Sequence, residues 1–163
     1  MITALIRAET SVEALAVTLG ALIPGVVDGL IGDAVVLARR PDEALARVAD
    51  TVGATLLPVD GDPWITGAQD AKRDWLLCLD DGDVPVEGWT RAIDRFIALS
   101  PPDRRFGRLG RPRAPWLRRL SDLGPVRLRS GDLVHRSLLA RPGIRLPRPV
   151  RVQASVERDP VFD

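Results

Sequence analysis

The chain is short of several residues on which common chemistries depend. It has one cysteine (Cys78), one histidine (His135), one methionine, no tyrosine, and aromatic residues amount to 4%. A single cysteine excludes an intrachain disulfide and any multi-cysteine metal site. It fits a reducing compartment. A single histidine excludes zinc sites built on two or more imidazoles, and it leaves little for a Ser-His-Asp mechanism. The longest uncharged stretch near the N-terminus, residues 14–27, contains Pro24 and falls short of the ~20 apolar residues that a membrane helix requires. Residues 1–8 carry no cationic run and meet Arg7 and Glu9 at once, which does not fit a secretory signal. The expected location is the cytoplasm.

What is present is an ordinary globular composition: 163 residues, 45% hydrophobic and 28% charged, enough for one domain with a proper core. The net charge of +1 conceals an asymmetry. Residues 1–103 hold 8 basic and 17 acidic side chains, whereas residues 104–163 hold 15 basic, all arginine, and 5 acidic. An acidic body with an arginine-rich tail suggests a tail that faces something anionic; the plainer alternative is biased codon usage with solvated arginines.

Along residues 1–99 the pattern alternates. Ile2 to Arg7 reads as a strand. Thr10-Ser11-Val12-Glu13 matches a capping box that opens a helix through Leu15, Leu19 and Leu22, ended by Pro24-Gly25. Val35 to Ala38 is a buried strand. Pro41 with Asp42 and Glu43 suits a helix start, and Gly53 suits its C′ position. A strand over 54–59, a short helix over 64–72, the strongly apolar strand Trp75-Leu76-Leu77-Cys78-Leu79 and a helix over 86–99 complete the series. This predicts an α/β fold with a mostly parallel sheet flanked by helices. Residues 100–163 are rich in Arg and Pro and are expected to be irregular, with one or two short strands and a short helix, packed against the 1–99 core within the same domain.

The feature that points to chemistry is Asp80-Asp81-Gly82-Asp83 at the carboxyl end of that apolar strand. Ligands of open α/β sheets bind beyond the carboxyl ends of the strands. Three neighbouring carboxylates repel unless they are solvated or neutralised by a cation, and carboxylate oxygens with open positions suit Mg²⁺ or Mn²⁺ carrying a phosphate. The plainer alternative is an acidic turn, since Asp and Gly are favoured turn residues whatever their task.

The order of these segments resembles a family 2 glycosyltransferase of the GT-A fold. Arg7-Ala8-Glu9-Thr10 resembles that family's polar turn after the first strand. Gly53-Ala54-Thr55-Leu56-Leu57 resembles its third strand. Gly67-Ala68-Gln69-Asp70-Ala71 followed by Asp74 and the run into Asp80-Asp81-Gly82-Asp83 resembles its aspartate segment, and Gly88-Trp89 the pair that follows it. The resemblance covers residues 1–99. It implies a single nucleotide-binding domain, a nucleotide-sugar donor and a divalent metal, Mn or Mg. It places Asp81 and Asp83 on the metal, with Asp80 as an alternative first member, and sets Ala8, Glu9 and Thr10 against the nucleotide. Where that family has an Asp-Asp-Gly-Ser type segment after the second strand, this chain has Ala38-Arg39-Arg40-Pro41. By the same resemblance, His135 in Gly131-Asp132-Leu133-Val134-His135 would be a further metal ligand; the alternative is a surface or packed histidine.

Asp132, with Asp122 as its rival, is the candidate general base of the second half, and the acceptor is a saccharide, a lipid or a small molecule. Cys78 alternates into a buried strand and reads as inert. Arg104, Arg105, Arg108, Arg111 and Arg113 could clamp a diphosphate or an anionic acceptor. Trp116-Leu117-Arg118-Arg119-Leu120 could instead rest on the anionic inner face of a membrane. Nucleic acid is not expected, because the arginines are not interleaved with aromatics. Two readings of function follow: a glycosyltransferase, or a catalytically degenerate GT-A-like binding or regulatory module. A nucleotidyltransferase is weaker, for lack of a glycine-rich loop after the first strand.

Overall fold

The computed structural model describes residues 1–101, 105–111, 126–139 and 145–162. Alternation of strands and helices through the first hundred residues is as the sequence predicts. The elements are β1 (Ile2–Ala8), α1 (Val12–Val27), β2 (Ile31–Ala38), α2 (Glu43–Thr51), β3 (Thr55–Pro58), α3 (Pro63–Asp70), β4 (Trp75–Asp80), β5 (Asp83–Pro85) and α4 (Trp89–Leu99). The second part of the chain adds β6 (Phe106–Gly110), β7 (Asp132–His135) and β8 (Val150–Arg158).

All eight strands form one sheet in the order β3-β2-β1-β4-β7-β6-β8-β5. β1, β2, β3 and β4 are mutually parallel; β7 then runs antiparallel to both β4 and β6, and β5 antiparallel to β8. Chain order leads outward from β1 through β2 to β3 and returns to the other side of β1 with β4. The crevice beyond Ala8 and Asp80 is therefore a topological switch point, the place where open α/β sheets bind ligands.

Period-two alternation divides the core between the two faces. Ala4, Ile6, Leu77 and Leu79 pack with Leu15, Leu19 and Leu22 of α1, Ala49 of α2, and Trp89 and Ile93 of α4. Leu5, Val35, Leu37, Leu76 and Cys78 pack on the other face with Trp64 and Ala68 of α3, together with Phe106 and Val134. Cys78 is fully buried, and burial, with Asp132, Asp80 and Asp62 nearby, pushes its thiol well above the ordinary range. It stays protonated and inert, as its place on the strand suggests.

Helix boundaries depart from local expectation where distant contacts decide. The N-cap of α1 is Ser11, whose side chain accepts from the Ala14 amide, and not Thr10, whose hydroxyl is turned to Asp81. Pro24 lies inside α1 instead of ending it. The last turn is held because Gly25 lies against the Trp89 indole, where an added Cβ would fall 2.5 Å from Cη2. The helix stops one turn later in a Schellman motif: Gly29 has φ +69°, its amide donates to Val26, and the Leu30 amide donates to Gly25. Likewise α2 is capped by Asp42, the residue after Pro41, and Gly53 takes the predicted C′ position with φ +70°.

The largest departure is β8. Residues 150–158 form a nine-residue strand in a region expected to be irregular, and β8 brings the three-residue β5 into the sheet through Asp83↔Arg158, Val84↔Glu157 and Pro85↔Val156.

Candidate functional site

At the switch point the last residues of β1 and β4 meet in register as Arg7↔Asp80. The chain continues the ladder by one bond, Asp81 N–H to Arg7 C=O at 2.9 Å, then turns at Gly82, whose φ of +85° is a conformation that favours glycine. This turn gives the three carboxylates three different directions.

Asp80 takes a 2.9 Å hydrogen bond from Arg7 Nε on Oδ1. Its side chain is about one-quarter exposed. Burial raises its pKa, and Arg7 opposes the rise. The Arg7 guanidinium also lies 5.5 Å from the Trp64 ring centroid, a distance at which a cation is attracted to the face of an indole.

Asp81 points inward and is 1% exposed. Its Oδ2 accepts from the amides of Glu9 (2.9 Å), Thr10 (2.6 Å) and Ser11 (3.3 Å), and its Oδ1 from the Thr10 hydroxyl (2.9 Å). Successive amides at a helix start form a nest that attracts an anion; here the chain's own carboxylate fills it. Asp83 is also fully buried. Its Oδ2 accepts from the Asp80 amide (2.9 Å), from Arg111 Nη2 (2.5 Å) and from the Ser130 hydroxyl, while Oδ1 is buried with no hydrogen-bond partner.

Arg158, at the end of β8, completes the group. Its Nε donates to the Phe162 carbonyl (2.9 Å), Nη1 to the Asp81 carbonyl (2.6 Å) and Nη2 to the Thr10 hydroxyl (3.0 Å). On the other side of Arg7, a shallow cleft lies between the strand ends, lined by Arg7, Glu9, Leu37, Arg39, Val59 and Pro63.

The predicted residues thus separate into two sets. Asp80, Asp81, Asp83, Ala8, Glu9 and Thr10 are brought together. Asp132 and His135 are not part of that group. Asp132 is fully buried and takes two hydrogen bonds from Arg108, at 2.5 and 2.9 Å, and one from the Arg129 amide at 2.9 Å. A carboxylate so enclosed cannot reach an acceptor hydroxyl, so the structure gives Asp132 a framework role. His135 is opposite Trp75 in the β4–β7 register, five residues from Asp80 and so roughly 16 Å along the strand. Its ring is edge-on to Trp75 with centroids 5.4 Å apart, and Nδ1 is 2.8 Å from the Ser137 hydroxyl. It belongs to the opposite rim of the sheet, because a strand running antiparallel to β4 carries its C-terminal end to the start of β4. Burial and the neighbouring Arg105 lower its pKa.

Of the five tail arginines, Arg111 reaches the aspartate segment, Arg108 pairs with Asp132, and Arg105 lies beside His135. Arg104, Arg113, the rival base Asp122 and the Trp116-Leu117-Arg118-Arg119-Leu120 segment lie outside the described residues. Sequence reasoning missed Ser130 and Arg158. The signal for Arg158 was present in the alternation of Val150, Val152, Ala154 and Val156, which marks a strand ending at the motif; nothing local marks Ser130.

Among the described residues, no group of three His, Cys, Asp or Glu side chains is placed to hold a metal. Both oxygens of Asp81 are spent on the β1–α1 turn, and Oδ1 of Asp83, though without a hydrogen-bond partner, is buried. Asp80 alone offers one more ligand atom. Each carboxylate already has partners in the chain: Arg7 for Asp80, Arg111 for Asp83, and the β1–α1 amides with the Thr10 hydroxyl for Asp81. This arrangement does not fit a divalent metal held by the Asp-Gly-Asp pair.

No family model matches the sequence, and no curated protein matches it. Among solved structures, the chain is similar to glucosyl-3-phosphoglycerate synthase from Mycobacterium tuberculosis in complex with Mn²⁺ and uridine-diphosphate-glucose, with TM-score 0.61 and 16% identity, covering 85% of this chain and 57% of that one. The same enzyme with Mg²⁺ and uridine diphosphate gives TM-score 0.63 at 16% identity. Mannosyl-3-phosphoglycerate synthase from Rubrobacter xylanophilus gives TM-score 0.61 at 14% identity, covering 85% of this chain and 54% of that one. The fold is thus of the GT-A type found in these glycosyltransferases, and the chain spans little more than half of their length.

Proposed function

We propose that this chain is a nucleotide-sugar-dependent glycosyltransferase domain that binds its donor in the crevice beyond β1, β2 and β4. The observation that carries this reading is the coincidence, in a GT-A-type fold, of the topological switch point with a cleft rimmed by Arg7, Glu9 and Arg39. The ring of the nucleoside lies across this shallow cleft, near Pro63. The diphosphate then lies toward Thr10 and Asp80. The acceptor, whether saccharide, lipid or small molecule, approaches from the side of the arginine-rich second half.

A second reading, a donor-binding module without transfer, has one observation in its favour. The candidate base Asp132 is sealed by Arg108, so no carboxylate from β7 is available to deprotonate an acceptor.

Thermal unfolding in the presence of UDP, GDP, ADP, CDP and dTDP tests the common part of both. One of them should raise Tm by roughly 5–10 °C at a hundred times its Kd, because binding to the native state alone stabilises by about 2.7 kcal/mol there. Absence of a shift with all five would contradict donor binding. Slow hydrolysis of the corresponding nucleotide-sugar, releasing free sugar, then separates the transferase from the binding module. With regard to membranes, no described helix is long and apolar enough to cross one.

A further inference from the structure

Resting on the donor-binding reading, we propose that the donor diphosphate is bound without a divalent cation, its charge being met by the Arg158 guanidinium. Three observations lead there. First, every carboxylate of the acidic segment already has partners in the chain, Arg7 for Asp80, Arg111 for Asp83 and the amide cage for Asp81. Secondly, the space over the turn belongs to the C-terminal segment. A Cβ added at Gly82 would fall 3.3 Å from Phe162 Cβ, 3.4 Å from Arg158 Cζ and 3.5 Å from Arg158 Nη1. Thirdly, Arg158 is held by three neutral oxygens and has no carboxylate partner among the described residues.

A guanidinium carries five N–H donors. The three bonds to Phe162, Asp81 and Thr10 leave one N–H on each terminal nitrogen. The side chain is part-exposed, and its backbone is fixed on both sides: Arg158 pairs with Asp83, and the Asp159 amide donates to the Gly82 carbonyl at 2.8 Å. An uncompensated, immobilised cation with two spare donors is suited to phosphate oxygens, since guanidinium–phosphate hydrogen bonds are short and charge-assisted. Immobilisation before binding also removes the entropy that ordering a free arginine would cost. The positive charge that a metal would bring is built into β8.

Calorimetric titration of the intact protein with the same five nucleoside diphosphates, in EDTA and then in Mn²⁺, provides the test. Affinity should agree within about twofold in the two conditions. In EDTA, Arg158→Gln should weaken the diphosphate about ten- to a hundredfold, the loss of one or two hydrogen bonds to a charged group, while leaving the affinity of the parent nucleoside unchanged. Arg158→Lys should recover part of the loss. Binding that appears only with Mn²⁺ overturns this proposal and leaves donor binding standing. Failure of all five to bind in either condition overturns both. The comparison of EDTA with Mn²⁺ uses the unaltered chain, so it stands whether or not the Arg158 variants fold.

Discussion

Asp81→Ala should destabilise the protein by about 3–5 kcal/mol, the range for removing one member of a buried, charge-bearing hydrogen-bond network. The substitution leaves the amides of Glu9, Thr10 and Ser11 and the Thr10 hydroxyl without the carboxylate that they converge on. These groups form the junction between β1 and α1, and the same junction receives Arg158 through Thr10, so β4, α1 and β8 all loosen together. For a chain of this size the loss corresponds to roughly 6–20 °C in Tm. Asp81→Asn keeps one acceptor oxygen and should cost less. Equilibrium unfolding in urea measures both. If Asp81 were an open metal ligand, the alanine variant would keep its stability and lose only metal-dependent binding; that pattern would contradict the site described above.

A comparable loss, again about 3–5 kcal/mol, is expected for Asp132→Ala, which takes away the carboxylate partner of Arg108 within a buried layer. Removing both charges, as Asp132→Leu with Arg108→Met, should recover most of it, because the cost of breaking such a pair lies mainly in the charge left behind. The pH dependence has a definite sign. Burial holds the Asp132 pKa above the usual carboxylate range, with Arg108 and Arg129 opposing the rise. A raised carboxylate contributes stability that is present below its ordinary pKa and is lost as pH rises through the raised value. Unfolding free energy of the parent should therefore include a fall across that window, and Asp132→Asn should lack it. A general base would behave differently: Asp132→Asn would abolish turnover and leave the stability profile unchanged.

The α/β core was legible in the sequence because its signals are local. The run from Leu76 to Leu79 is buried on both faces and could be little other than a central strand, and Gly53 ends α2 by a conformation that favours glycine. The position of the aspartates at the switch point followed from the same reasoning. Their individual tasks did not. Whether a carboxylate in Asp80-Asp81-Gly82-Asp83 points to solvent or inward depends on the Gly82 turn and on partners far along the chain: Thr10, Arg111 and Ser130. The same long-range competition moved the cap of α1. Thr10 and Ser11 are both competent caps by composition, and the one that faces Asp81 is drawn away. Pro24 would end a helix standing alone, whereas contact between Gly25 and Trp89 carries α1 through it. In the second half, the alternating valines of β8 were readable but stood among arginines and prolines, and their significance lies in β5, a three-residue strand too short to announce itself.

Amide hydrogen exchange in the presence of the nucleoside diphosphate that raises Tm most tests the placement of the donor site most directly. The account predicts slowed exchange in segments 7–13, 38–42 and 80–83, and at 156–162 where Arg158 closes on the phosphates, with no change around His135 and Trp75 at the opposite rim. Protection confined to that opposite rim, with the four segments unchanged, would contradict it.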